Sequence, residues 1–268
     1  MRSFFFHAAV TVLLASSFCL RAAAPGDDAP PGNDAPNIEA RIYKSNDGRT
    51  LPYRIFKPVG YDPAKKYPLV LCLHGRGGRG TDNKSRGTQA FVALSSDKVQ
   101  QEHPCFLITP QCSGNGRWAT PEGNQGSWFL DANPITDEMR SVLDILAVVQ
   151  KEFSIDPARI YVTGQSMGGV GTWYILLIHP ELFAAAVPVC GSGDPTKAKQ
   201  IAAIPIWIFH GGNDPTVPVQ ASRDMDKALK DAGSKVSKFT EFPGVKHESW
   251  GPAWKEPGLV PWLFSQHK

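Results

Sequence analysis

The chain has 268 residues, 42% of them hydrophobic and 20% charged, a composition that fits a globular fold and excludes a disordered chain. Gly 25 and Pro 23 are too few for a low-complexity or collagen-like sequence. The net charge of +3 and the lack of a Lys/Arg run exclude a nucleic-acid footprint; without Arg2 and Arg21, 26 basic residues face 25 acidic ones.

Residues 1–24 read as a secretory signal peptide. Arg2 supplies the positive start, Phe4 to Leu20 is mostly apolar, and Ala22-Ala23-Ala24 offers an A-x-A cleavage site. His7, Thr11 and Ser16-Ser17 interrupt the apolar run, which falls short of the roughly 20 residues a membrane span needs. Phe18 stands before Cys19 where lipidation signals want a small residue. The expectation is a secreted or periplasmic protein with no membrane contact after cleavage. Residues 25–37 (PGDDAPPGNDAPN) carry no large apolar side chain and read as a flexible linker. Residues 38–268 are expected to form one folded domain.

Export permits disulfides among Cys72, Cys105, Cys112 and Cys190; three pairings are possible and the sequence does not choose among them. Cys72 lies in the apolar run LVLCL and also fits a buried thiol. No CxxC pair is present, so no metal site is expected.

Ile38–Lys44 and Leu51–Lys57 read as strands joined through Asn46-Asp47-Gly48. Pro68–Leu73 (PLVLCL) and Cys105–Thr109 (CFLIT) are continuous apolar runs, as parallel strands buried on both faces require. Thr136–Phe153 places Met139, Val142, Leu143, Leu146, Val149 and Phe153 at helical spacing. Arg159–Thr163, Ala184–Val189, Pro205–Phe209 and Val236–Phe242 are further strand candidates, with helices over Met167–His179 and Gln220–Ala232. Strands alternating with helices predict an α/β fold, a mostly parallel central sheet covered on both faces. Chemistry in such sheets gathers at the carboxyl ends of the strands.

The strongest motif follows RIYVT: Gly164-Gln165-Ser166-Met167-Gly168, a G-x-S-x-G between a buried strand and a helix. That context places Ser166 on a sharp strand-to-helix turn, with its hydroxyl exposed. A serine needs a base held by an acid, and in this motif the order along the chain is serine, acid, histidine. Asp214 lies in HGGNDPTVP after PIWIF, and His247 in PGVKHESW after VSKFTEF. Asp194 is a weaker alternative acid, and His74 and His210 read as structural. Two N–H donors should stabilise an oxyanion: the Met167 amide, and the Arg76 amide from the glycine-rich loop HGRGGRG after PLVLCL. GxxxxGK[ST] is absent, which argues against a nucleotide-binding loop.

The segments LHGRGGRGTDN, GQSMGG, HGGNDPTVP and the His247 loop together resemble the α/β-hydrolase superfamily. More narrowly they resemble secreted esterases of the polyhydroxyalkanoate-depolymerase and feruloyl- or acetylxylan-esterase type, and peptidases related to the catalytic domain of prolyl oligopeptidase. The resemblance runs from about Ile38 to the end of the chain and implies a Ser-His-Asp mechanism without fixing a substrate. Arg76 departs from the residue that cutinase-like and depolymerase relatives often carry there.

Only Gly191–Ala203 separates two strands where many lipases insert a helical cap, so no large cap is expected. The long irregular stretch Pro110–Ile135 contributes Trp118 and Trp128, which with Trp250 and Gln165 are the candidate substrate-binding residues. Trp173 is expected in the core. The expected activity is hydrolysis of short acyl, aryl or polysaccharide-linked esters, small or polymer-attached, through an acyl-enzyme and without a cofactor. A serine peptidase and a non-catalytic hydrolase-fold binder are the alternatives.

Overall fold

In the computed structural model the described residues are 37–84, 88–122, 129–130 and 135–268, with only the backbone described at 121–122 and 129–130. The expected signal peptide, nearly all of the expected linker and Trp128 lie outside them. The strands are β1 (Ile38–Lys44), β2 (Thr50–Phe56), β3 (Tyr67–Leu73), β4 (Phe106–Pro110), β5 (Pro121–Glu122), β6 (Phe129–Leu130), β7 (Ile155–Gln165), β8 (Ala185–Val189), β9 (Trp207–Gly211) and β10 (Lys238–Phe242). Eight of them form one sheet in the order β1-β2-β4-β3-β7-β8-β9-β10, and β5 pairs only with β6. The β1–β2 and β2–β4 pairs are antiparallel; the pairs from β4 through β10 are parallel.

The helices are α1 (Gln89–Leu94), α2 (Asp97–Glu102), α3 (Asp137–Glu152), α4 (Met167–Ile178), α5 (Ala198–Ile201), α6 (Gln220–Asp231), α7 (Trp250–Ala253) and α8 (Leu259–Phe264). The unbroken apolar run of β3 explains how they are distributed. Leu69, Leu71 and Leu73 face one core, packed by α3, α4 and α6. Val70 and Cys72 face the other, packed by α1, α7 and α8. Each fully buried Leu or Val contributes roughly 1.5–3 kcal/mol, so a strand that feeds two cores anchors both.

Most expected elements are present, with shifted ends. β7 begins at Ile155 rather than Arg159, with a register irregularity opposite Tyr67–Leu69. The sequence reading missed α1, α2, α5, α7 and α8, each six residues or shorter and too brief to show a helical period. The β8–β9 connection holds only α5 and a single 3₁₀ turn, so no cap is inserted there. Cys72, Cys105, Cys112 and Cys190 are buried free thiols, which closes the disulfide question for these four. No helix among the described residues is long and apolar enough to cross a membrane.

Candidate active site

Ser166 follows β7 and precedes α4 with φ 55° and ψ −117°, a strained conformation for a non-glycine residue. Strain of this kind costs on the order of 1–3 kcal/mol and persists only where the surroundings enforce it. Here the neighbouring glycines do so. A Cβ at Gly164 would overlap the Gly168 carbonyl, and one at Gly168 would overlap the Leu73 carbonyl at the end of β3. The elbow is therefore a three-way backbone contact among β7, α4 and β3. It is locked by Ser166 N–H donating to Val189 O at 3.0 Å.

His247 Nε2 stands 2.8 Å from Ser166 Oγ, and its Nδ1 stands 2.7 Å from Asp214 Oδ2. The Asp214 side chain is fully buried, while that of His247 keeps 15% of its surface exposed. A carboxylate on Nδ1 fixes the tautomer: Nδ1–H donates to Asp214, leaving Nε2 to accept the Ser166 proton. The loops that carry Asp214 and His247 are stitched together by their backbones. Asn213 N–H donates to Val245 O and Gly212 N–H to Phe242 O, each at 2.9 Å. Gly211 is required there, because a Cβ would overlap the Lys246 carbonyl.

Asp214 uses both oxygens fully. Oδ1 accepts from Thr216 N–H at 2.8 Å and Val217 N–H at 2.9 Å. Oδ2 meets His247 and also His210 Nε2, at 3.2 Å. His210 belongs to β9 itself rather than to the loop after it. The alternative acid, Asp194, is spent elsewhere, with Oδ1 accepting from the Thr196 N–H and hydroxyl. Cys190, Asp214 and His247 each place one donor atom within 4.8 Å of the others, the geometry of a metal-ligand trio. Two of those atoms already serve each other as hydrogen-bond partners, and burial pushes the Cys190 thiol up to about 12, so it stays protonated.

The glycine-rich loop after β3 is held in place by His74. Its Nε2 accepts Cys112 N–H at 3.0 Å, so Nδ1 carries the proton and donates to Gly75 O at 2.6 Å. Burial keeps this imidazole neutral by pushing it down to about 4. The C=O and N–H of a trans peptide point in opposite directions, so fixing Gly75 O on the ring turns the Arg76 N–H away from it. Neither the Arg76 nor the Met167 amide donates to another group among the described residues. Gly75 abuts the serine: a Cβ there would lie 3.6 Å from Ser166 Cβ. Gln111 braces the far side of the loop, its Oε1 accepting Asn83 N–H at 2.7 Å and its amide donating to Gly78 O at 3.3 Å.

The expected aromatic wall is corrected in part. Trp118 is completely buried, its Nε1–H donating to His74 O at 2.9 Å and its side chain packed on Gly171 of α4. It buttresses the glycine-rich loop and cannot touch a substrate. Gln165 is also nearly buried, and its Oε1 accepts from Gln89 N–H at 3.3 Å, tying α1 to the elbow. Trp250 is half-buried and sets its ring edge-on to His247, centroids 5.5 Å apart at 86°. Trp173 lies in the core as expected. A cavity of about 240 Å³ beside Lys66, Glu102 and Arg159 lies at the opposite end of the parallel strands from Ser166.

An eight-stranded, mostly parallel sheet with a strained serine at the β7–α4 elbow, within reach of a histidine and a buried aspartate, defines an α/β-hydrolase. The chain belongs to the phospholipase/carboxylesterase family, whose pattern matches residues 61–255. It is similar to the crystal structure of a thermostable esterase: 39% identity, TM-score 0.78, covering 87% of this chain and 64% of that one. It is 25% identical over 254 residues to feruloyl esterase C of Emericella nidulans, covering 88% of this chain and 86% of the relative. It is 30% identical over 142 residues to poly(3-hydroxyalkanoate) depolymerase C of Paucimonas lemoignei, covering 52% of this chain and 31% of the relative. The family and these esterase relatives support carboxylic ester hydrolysis as the activity.

Proposed function

We propose that the protein is an exported serine esterase acting on short acyl, aryl or polysaccharide-linked esters, with Ser166 as nucleophile, His247 as base and Asp214 as its orienting acid. The observation that carries this reading is the unbroken relay from Ser166 Oγ through His247 to Asp214, at 2.8 and 2.7 Å. His247 Nε2 takes the hydroxyl proton as Ser166 Oγ attacks the ester carbonyl carbon. The tetrahedral oxyanion is held by the Met167 and Arg76 amides. Its collapse breaks the bond to the alcohol, which leaves with the proton from His247. Water repeats the sequence on the acyl-enzyme and releases the acid. No step requires a cofactor.

Among these, aryl esters are supported by the half-buried Trp250 ring beside His247 and by likeness to feruloyl esterase C. Export is supported by the sequence of residues 1–24 and by a secreted protein of Arthroderma benhamiae, 31% identical over 218 residues and 22% covered. The test is a panel of acetyl-sugar, feruloyl, hydroxyalkanoate and peptidyl-amide substrates with Ser166→Ala alongside. Ester turnover should vanish in Ser166→Ala with little change in Tm, and a fluorophosphonate should label the wild type alone. Ester turnover retained by Ser166→Ala would refute the nucleophile. Faster cleavage of the amides than of every ester would favour the peptidase reading.

A further inference from the structure

We propose that His210 is a positioning residue of this site: a second, buried imidazole that donates from Nε2 to the Asp214 carboxylate it shares with His247 and limits how strongly the carboxylate holds the His247 proton. The proposal rests on the reading of Ser166, His247 and Asp214 as the reacting relay.

The ring is fully buried and both of its nitrogens are engaged. Nε2 lies 2.9 Å from Val217 O, which can only accept, so Nε2 carries the proton. The same N–H is shared with Asp214 Oδ2 at 3.2 Å. Nδ1 is then the unprotonated nitrogen and accepts the hydroxyl proton of Ser222, at 2.7 Å, from α6. Ser222 is itself fully buried, so this hydroxyl has no water to turn to. Together these three contacts fix the Nε2–H tautomer of the neutral ring. Burial also pushes the His210 imidazole down, towards the neutral form.

The consequence lies at Oδ2. His247 donates to it at 2.7 Å and His210 at 3.2 Å, so two imidazole N–H groups draw on one oxygen. Every donor that shares a carboxylate oxygen spreads its charge and weakens its hold on the other. A His247 ring held less tightly as imidazolium gives up its proton more readily to the leaving alcohol. The titratable groups that face His210 among the described residues are Asp214 and His247, with Glu241 opposite it in the β9–β10 register. Arg223 pairs with Glu241, and among the described residues Asp214 is the charged acceptor in hydrogen-bond contact with the ring.

The test compares His210→Gln, whose amide nitrogen can stand in for Nε2–H, with His210→Leu, which cannot donate. The readout is the pH profile of kcat/KM for a chromogenic acetate ester. His210→Leu should move the acidic limb upward by about half a pH unit or more and lower kcat at least about tenfold. His210→Gln should restore the wild-type limb and most of kcat. An unmoved limb in both variants, or equal damage in both with a matching loss of Tm, would overturn the proposal. If His210→Leu does not fold, the imidazole ¹⁵N signals of wild-type His210 decide it. They should report the Nε2–H tautomer, and an Nδ1–H tautomer overturns the assignment. Fluorophosphonate labelling of Ser166 separates the two claims. Failure to label sinks the relay, whereas labelling with an unmoved limb sinks only the role of His210.

Discussion

Gly168 stands where the helix after Ser166 touches the strand that carries the glycine-rich loop, so substitution there probes the spacing between the two proposed oxyanion donors. A Cβ at Gly168 would overlap Leu73 O and come within 2.9 Å of His74 O, both backbone atoms that no side-chain rotation can move aside. Relief requires α4 and the end of β3 to part by several tenths of an ångström or more. Overpacking of this kind costs about 1–3 kcal/mol. At about 2–4 °C per kcal/mol for a domain this size, Tm should fall by roughly 2–12 °C. Activity should suffer far more, because Met167 moves with α4 and Arg76 with β3, and misplacement of about 1 Å costs on the order of 100-fold. Gly168→Ala is therefore expected to lose about 100-fold in kcat at a temperature where circular dichroism shows it folded. Gly114→Ala, where an added Cβ meets nothing within 4 Å, should match wild type in both measurements. Wild-type kcat in a folded Gly168→Ala would refute the idea that the two donors sit on separate elements whose spacing matters.

Three further outcomes follow from the surroundings of the glycine-rich loop and from the tryptophans. His74 is held near 4 in the folded chain against 6.5 unfolded, so between those values the unfolded chain takes up a proton that the folded chain refuses. Stability should thus fall as pH drops from 6.5 towards 4, by roughly 3 kcal/mol at the end of that window, with a shallower slope in His74→Asn by thermal melts. Trp250→Ala should raise KM for an aryl ester about 2–10-fold relative to an acetyl ester, whereas Trp118→Phe should cost about 1 kcal/mol of stability and lower kcat for both esters alike. Steady-state kinetics on the two esters separates these, and an aryl-selective KM effect in Trp118→Phe would contradict its burial.

What the sequence made legible was whatever depends on chain order and period. PLVLCL announced a strand buried on both faces, and alternate residues do feed two cores. GQSMG between a strand and a helix pointed to the elbow, and the loops after two later strands pointed to Asp214 and His247, which the fold brings together. Side-chain direction was not legible. Nothing in the spacing of Trp118 distinguishes a ring lining a groove from one sealed behind His74, because tertiary packing decides that. His210 was read as holding a turn, since a histidine at a strand end gives no sign that an aspartate four residues on will fold back against it. The helices α7 and α8 escaped notice because four and six residues are too few to show a period, yet α7 begins with the tryptophan that faces His247.

The groups of the proposed site come from the ends of β3, β7, β9 and β10, so the pieces are scattered from the Arg76 loop to His247 along the chain. A refolding molecule that has paired its early strands owns an alcohol and a preset loop but no imidazole to deprotonate it. Recovery of turnover after dilution from denaturant is thus a clock for the final strand's arrival, and it should trail the return of helical signal because such distant pairings form slowly.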